Sequence, residues 1–168
     1  MKITLFLAAL MLLCSGCNED KSAALRGVEN FRIDDYMGTW YEIARTPNFF
    51  ERGLSDVKAV YTKRPDGKIS VVNSGIKKSG KKVYITGSAR PRSGRDSRGE
   101  LEVSFFPPFY SPYLVLATDY TSFAIVSGKN TEYLWILARE PHLTHSQTDR
   151  ILAIMKELGI PDKNLFFH

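Results

Sequence analysis

From Gly38 onward, short runs of β-branched and aromatic residues are broken by clusters of Gly, Pro, Asp and Ser. The breaks recur every roughly 8–12 residues, the spacing of a barrel or sandwich built from short strands. This rhythm predicts eight strands, at residues 38–46, 57–63, 69–72, 83–89, 101–106, 113–119, 123–127 and 133–139. Arg64-Pro65-Asp66-Gly67 and Lys78-Ser79-Gly80-Lys81 read as turns, and Pro107-Pro108 stops the fifth strand. After Pro141 the period changes. Ile151, Ile154, Met155 and Leu158 then fall on one face of a helix. Thr144 with Gln147 three residues on reads as a capping box, and Gly159 and Pro161 supply the stop. Leu165-Phe166-Phe167 reads as a short final strand or packing tail. Strands first and helix last predict an all-β, eight-stranded antiparallel up-and-down barrel with a C-terminal helix packed outside. Such a barrel has room inside for side chains or one small ligand, and closure removes exposed sheet edges.

The N-terminus follows a different pattern. Lys2 precedes eleven residues, Ile3 to Leu13, interrupted by a single Thr. A membrane-crossing helix needs roughly 20 apolar residues, so this stretch reads as a signal peptide. Leu13-Cys14-Ser15-Gly16-Cys17 resembles a bacterial lipobox, with Cys14 where Leu is usual. The resemblance implies a signal peptide at 1–16, a lipidated Cys17 and a tether over 17–30, leaving residues 31–168 as the folded domain. Asn18 follows Cys17, and by the lipoprotein sorting rule it implies the cell outer membrane, with the chain anchored on the periplasmic face.

Composition narrows the chemistry. A chain of 168 residues fits one domain with a sizeable core. Both Cys lie in the first 17 residues, which leaves no disulfide framework, cysteine zinc site or catalytic thiol in the body. His142, His145 and His168 all fall near the C-terminus, so no metal or cofactor is expected inside the barrel. No G-x-S-x-G elbow or hydrolase pattern occurs, no catalytic residue is assigned, and the chain does not read as an enzyme. Gly75 to Lys81 fits most of a phosphate-binding loop, but Lys82 stands where Ser or Thr would bind magnesium, and a strand follows. It reads as a hairpin turn. The net charge is +5 before Lys2 is removed. Lys77, Lys78, Lys81 and Lys82 cluster in this turn, and Arg90, Arg92, Arg95 and Arg98 in the next. Nucleic acid is not an expected partner of an exported, anchored chain.

Gly38-Thr39-Trp40, Thr118-Asp119-Tyr120 and the late Arg139, in this order, resemble the three motifs of the lipocalins. Gly38 to Arg45, the loop Glu51-Arg52-Gly53-Leu54 and Phe105-Phe106-Pro107-Pro108-Phe109-Tyr110 look more specifically like the bacterial outer-membrane lipoprotein lipocalins. The resemblance covers residues 28–168. It implies that Trp40 plugs the closed end of the barrel beneath the Arg139 guanidinium, so Gly38, Trp40, Thr118, Asp119, Tyr120 and Arg139 are structural. It also places the lysine turn at the open rim and the arginine turn at the opposite end.

Strand parity then proposes the lumen. With Trp40 inward, Glu42 and Ala44 share its face. Arg139 gives Leu137, Trp135 and Tyr133, while Asp119 gives Ala117, Val115 and Tyr113. Tyr61, Asn73, Tyr84 and Phe105 complete the expected ligand-binding set. Its apolar character suits one lipophilic ligand. Glu42 would repel a deeply buried carboxylate unless protonated or paired. The resemblance implies storage or transport of lysophospholipids or fatty acids under membrane stress. The alternatives are a lipid-modifying enzyme, a carrier of another small apolar metabolite, or a barrel filled by its own side chains. Phe109-Tyr110 offers a patch for homodimer formation or membrane contact.

Overall fold

The computed structural model describes residues 25–48, 53–95 and 97–167. The expected signal peptide, Cys17 and most of the expected tether lie outside these residues.

A one-turn helix α1 (Ile33–Tyr36) leads into β1 (Gly38–Arg45), followed by β2 (Leu54–Lys63), β3 (Ile69–Lys77) and β4 (Lys82–Pro91). Next come β5 (Glu100–Phe106), β6 (Phe109–Thr118), β7 (Phe123–Ser127) and β8 (Leu134–Ala138). Helix α2 (His145–Glu157) and the two-residue β9 (Phe166–Phe167) complete the chain. Each of β2 to β7 pairs with the next in sequence, β8 pairs with β1, and β1 pairs with β2 to close an eight-stranded antiparallel barrel. β9 adds a ninth strand on β1.

Several strands exceed the lengths the residue pattern predicts, β3 and β6 among them. β3 continues through Asn73-Ser74-Gly75 to Lys77, because its register with β2 and β4 continues to that point. β6 begins at Phe109 and runs through Pro112, which sits opposite Glu102 of β5. Pairing with formed neighbours overrides weak local propensity here.

Alternation sorts the apolar residues into two cores. One fills the barrel around Trp40, Tyr61, Val71, Val115, Val126 and Leu137. The other lies between the wall and α2, where Leu116, Phe123, Ile125 and Ile136 meet Ile151 and Met155. The capping box at Thr144 forms: its N–H donates to Gln147 Oε1 at 2.8 Å, and its Oγ1 accepts from the Gln147 N–H. Leu158 caps α2 and is exposed instead of joining the buried stripe. Leu25 to Asn30, part of the expected tether, lies against the barrel; the Val28 N–H donates to Val115 O and Val28 O accepts from Gly99 N–H.

The closed end is built from the three motifs. The Arg139 guanidinium carbon stands 3.7 Å from the centroid of the Trp40 ring. A contact of this kind contributes about 0.5–2 kcal/mol. The same guanidinium donates to the carbonyls of Thr39, Tyr120 and Asp35, each at 2.9 Å, tying β1, the β6–β7 turn and α1 together. Tyr120 has a φ of 67°, a left-handed conformation costly for a non-glycine residue. Its N–H donates to Thr118 Oγ1, which holds it there.

Asp119 organises the β6–β7 turn. It accepts from the N–H groups of Thr121, Ser122 and Phe123, from the Ser122 hydroxyl, and from Arg150 of α2. Burial alone would raise its pKa, but the hydrogen bonds from Ser122, Phe123 and Thr121 outweigh burial and hold the carboxyl below its ordinary value. The stability this contributes is present above the unfolded carboxyl's pKa of about 3.9, and is lost as pH falls through the lower folded value. Asp119→Asn should therefore cost about 1–2 kcal/mol at neutral pH in denaturant unfolding, the loss of charge-assisted hydrogen bonds. The gap between variant and parent should close as the solution is acidified below that range.

Candidate functional site: the barrel lumen and its mouth

The floor of the lumen is aromatic. Tyr36 has no exposed surface; its ring lies 5.0 Å from that of Trp40, and its carbonyl accepts the indole N–H at 2.8 Å. Above it the Tyr113 hydroxyl is shared between Tyr36, at 2.7 Å, and Tyr61, at 2.8 Å. Three phenols thus satisfy one another inside an apolar wall. Burial first, and then the neighbouring Tyr61, pushes Tyr36 well above the ordinary tyrosine pKa, and burial with Tyr36 and Tyr61 does the same to Tyr113, so both stay neutral.

The walls rise from this floor. Val115 and Leu137 are buried in the lumenal core, with Trp135, Phe105 and Tyr113 packed against it. Phe105 crosses over Gly87: a Cβ there would come within 2.7 Å of the phenyl ring and 2.5 Å of Ser104 O. Only glycine leaves room for that crossing. Asn73 lies on the lumenal face opposite Ala59 and Ile85, and its Oδ1 is buried with no hydrogen-bond partner among the described residues.

Three parity assignments need correcting. Ala44 faces outward, because β1 carries a bulge between Glu42 and Ala44. It sits opposite Ile136 and packs in the core beneath α2. Ala117 moves outward for the same reason, past an irregularity between Val115 and Ala117 in β6. Tyr84 pairs with outward-facing Ser74 and is 80% exposed, while its neighbour Ile85 takes the lumenal position opposite Asn73. A strand offset of one residue reverses every side chain on it. Tyr133 precedes β8 and is exposed.

The β1 bulge brings in a residue that parity missed. Arg45 turns inward opposite Trp135 and forms a buried ion pair with Glu42. Glu42 does face the lumen, opposite Leu137. Its charge is matched, so it presents no net repulsion to an anion. Arg45 also stands 6.0 Å from the Phe166 ring of β9. The only sequence cue for this pair was an acid and a base three residues apart on a strand, where strict alternation puts them on opposite faces.

Around Arg45 the barrel opens into a cavity of about 1220 Å³. Leu54, Val83, Phe166 and Phe167 supply apolar surface there, and Lys77 and Lys78 supply positive charge beside the ion-paired Arg45, with Asp56 the one acidic group among the described residues of its lining. None of the residues expected to bind ligand lines this mouth, because strand ends and turns form it. Glu42 instead borders a second cleft, of about 640 Å³, where β1 and β2 part beyond the Tyr41–Lys58 pair.

Breaking a buried ion pair from one side costs about 3–5 kcal/mol, whereas replacing both partners is far milder. Arg45→Met alone should be strongly destabilising in chemical unfolding. Glu42→Gln combined with Arg45→Met should recover most of the loss.

Comparison with known proteins places this architecture. The family model of the Lipocalin-like domain matches residues 31–167. The outer membrane lipoprotein Blc of Vibrio cholerae is 38% identical over 173 aligned residues, covering 97% of this chain and 96% of that protein. The Blc of Escherichia coli is 38% identical over 160, covering 90% and 85%. Among solved structures, insecticyanin from the tobacco hornworm Manduca sexta superposes with a TM-score of 0.73 at 23% identity, over 86% of this chain and 83% of that one.

Proposed function

Because the chain belongs to the lipocalin family, we propose that it is an outer-membrane-anchored carrier that stores or transports one lysophospholipid or fatty acid at a time. The mouth cavity carries this reading, with Arg45, Lys77 and Lys78 set among Leu54, Val83, Phe166 and Phe167. A single-chain lipid has the matching division: an anionic head for the cations and an alkyl chain for the apolar surface below. Burying that chain gains about 0.8 kcal/mol per methylene.

In this reading the phosphate or carboxylate stays at the rim. The chain descends along Phe105 and Trp135, past the unpartnered Asn73 Oδ1. The Tyr36–Tyr113–Tyr61 group sets the depth limit, since its phenols are already paired and the core around them is packed. Capture and release involve no bond chemistry. The Blc relatives are named outer membrane lipoproteins, and the lipobox-like Cys17 supports the same address and a periplasmic placement.

Native mass spectrometry of the purified chain with lysophosphatidylethanolamine or palmitate tests the reading. A one-to-one adduct is expected, weakened about tenfold or more by Trp135→Ala and not displaced by a neutral sugar detergent. No adduct with either lipid would remove lipid carriage.

A further inference from the structure

The two basic clusters sit at opposite ends of the barrel and differ in how they are neutralised. Near the closed end, Arg90 reaches Glu102 at 3.0 Å and Arg98 reaches Glu29 at 2.8 Å, while Arg92 and Arg95 approach Glu100 at 4.0 and 3.6 Å. At the mouth, Lys77, Lys78, Lys81 and Lys82 are exposed and carry no ion pair among the described residues. The fold answers one set of charges internally and leaves the other open.

Exposed aromatic residues gather at the same end. Phe106 and Phe109 flank the Pro107-Pro108 turn at 72% and 77% exposure. Tyr84, near the start of β4, is 80% exposed, and Phe166 and Phe167 beside β1 are about half exposed. Large apolar side chains concentrated at one end of a monomer mark an interaction surface.

Charge decides which partner fits. Lysine is depleted at protein–protein interfaces, and a two-fold dimer through this end would set the lysine turn against its own copy or beside it. A negatively charged surface with apolar material just beneath it answers both features at once. We propose that the open end docks on an anionic lipid bilayer, with Phe106 and Phe109 entering the headgroup layer and Lys77, Lys78, Lys81 and Lys82 meeting the phosphates. This deepens the carrier reading and rests on it only for the purpose of docking: a lipid would then pass between membrane and lumen without crossing open water.

The intact chain carrying Phe109→Trp, added to vesicles whose acyl chains are brominated, tests the proposal. With phosphatidylglycerol vesicles the new tryptophan should shift to shorter wavelength and be quenched, beyond the signal of the parent chain. Phosphatidylcholine vesicles should give several-fold less. Lys77→Gln and Lys82→Gln should each weaken the phosphatidylglycerol response about fivefold. Both are exposed positions, so unchanged thermal unfolding confirms that the barrel is intact. Equal quenching by both lipids, no quenching by either, or shielding of the tryptophan that grows with protein concentration without vesicles would overturn the proposal. The last outcome would assign the surface to a second copy. The readout does not depend on a filled lumen, so it fails separately from the mass-spectrometric test.

Discussion

β1 serves two neighbours and releases one of them partway along, and the rest of the molecule is arranged around that change. From Gly38 to Tyr41 it is hydrogen-bonded to β2, while from Tyr41 to Arg45 it is bonded to β8. The lower half therefore closes the barrel. The upper half bends away, and its freed edge is taken by β9 at Ala44 and Arg45. An unpaired edge would leave backbone groups seeking partners, and the two-residue strand supplies them.

The bulge after Glu42 is the means of that bend, and it also decides the chemistry of the lumen. One added residue turns Arg45 inward, where it meets Glu42 and is covered by Phe166. The buried pair is costly to desolvate, and it matches the charge of Glu42 within the lumen. A cationic, apolar-walled mouth above a phenol floor is the outcome, and the proposed carrier function rests on this polarity.

Below, the Arg139–Trp40 contact and the hydrogen bonds to Asp119 tie the closed end together. The division extends to the surface. The closed-end arginines are spent on Glu29, Glu100 and Glu102, whereas the lysines of the β3–β4 turn remain available.

Much of this was legible in the residues. Hydrophobic period marked the eight strands and the outer helix, since a half-buried strand and an amphipathic helix impose different spacings. The Thr144 cap and the Gly38-Thr39-Trp40, Thr118-Asp119-Tyr120 and Arg139 motifs were equally readable, because each depends on local chemistry or on a few fixed contacts. Tyr61, Phe105, Tyr113, Val115, Trp135 and Leu137 were found in or against the barrel core. Ala44, Ala117 and Tyr84 were not. A bulge costs little and leaves no residue signature, yet it reverses the faces beyond it, and the register of Tyr84 was set by its pairing with Ser74. The Glu42–Arg45 pair and the cation-lined mouth likewise came from strand ends and turns converging across the barrel. Sequence determined which segments become wall, plug and outer helix. Tertiary structure alone decided which charges meet, because inward or outward depends on pairing between strands far apart in the chain.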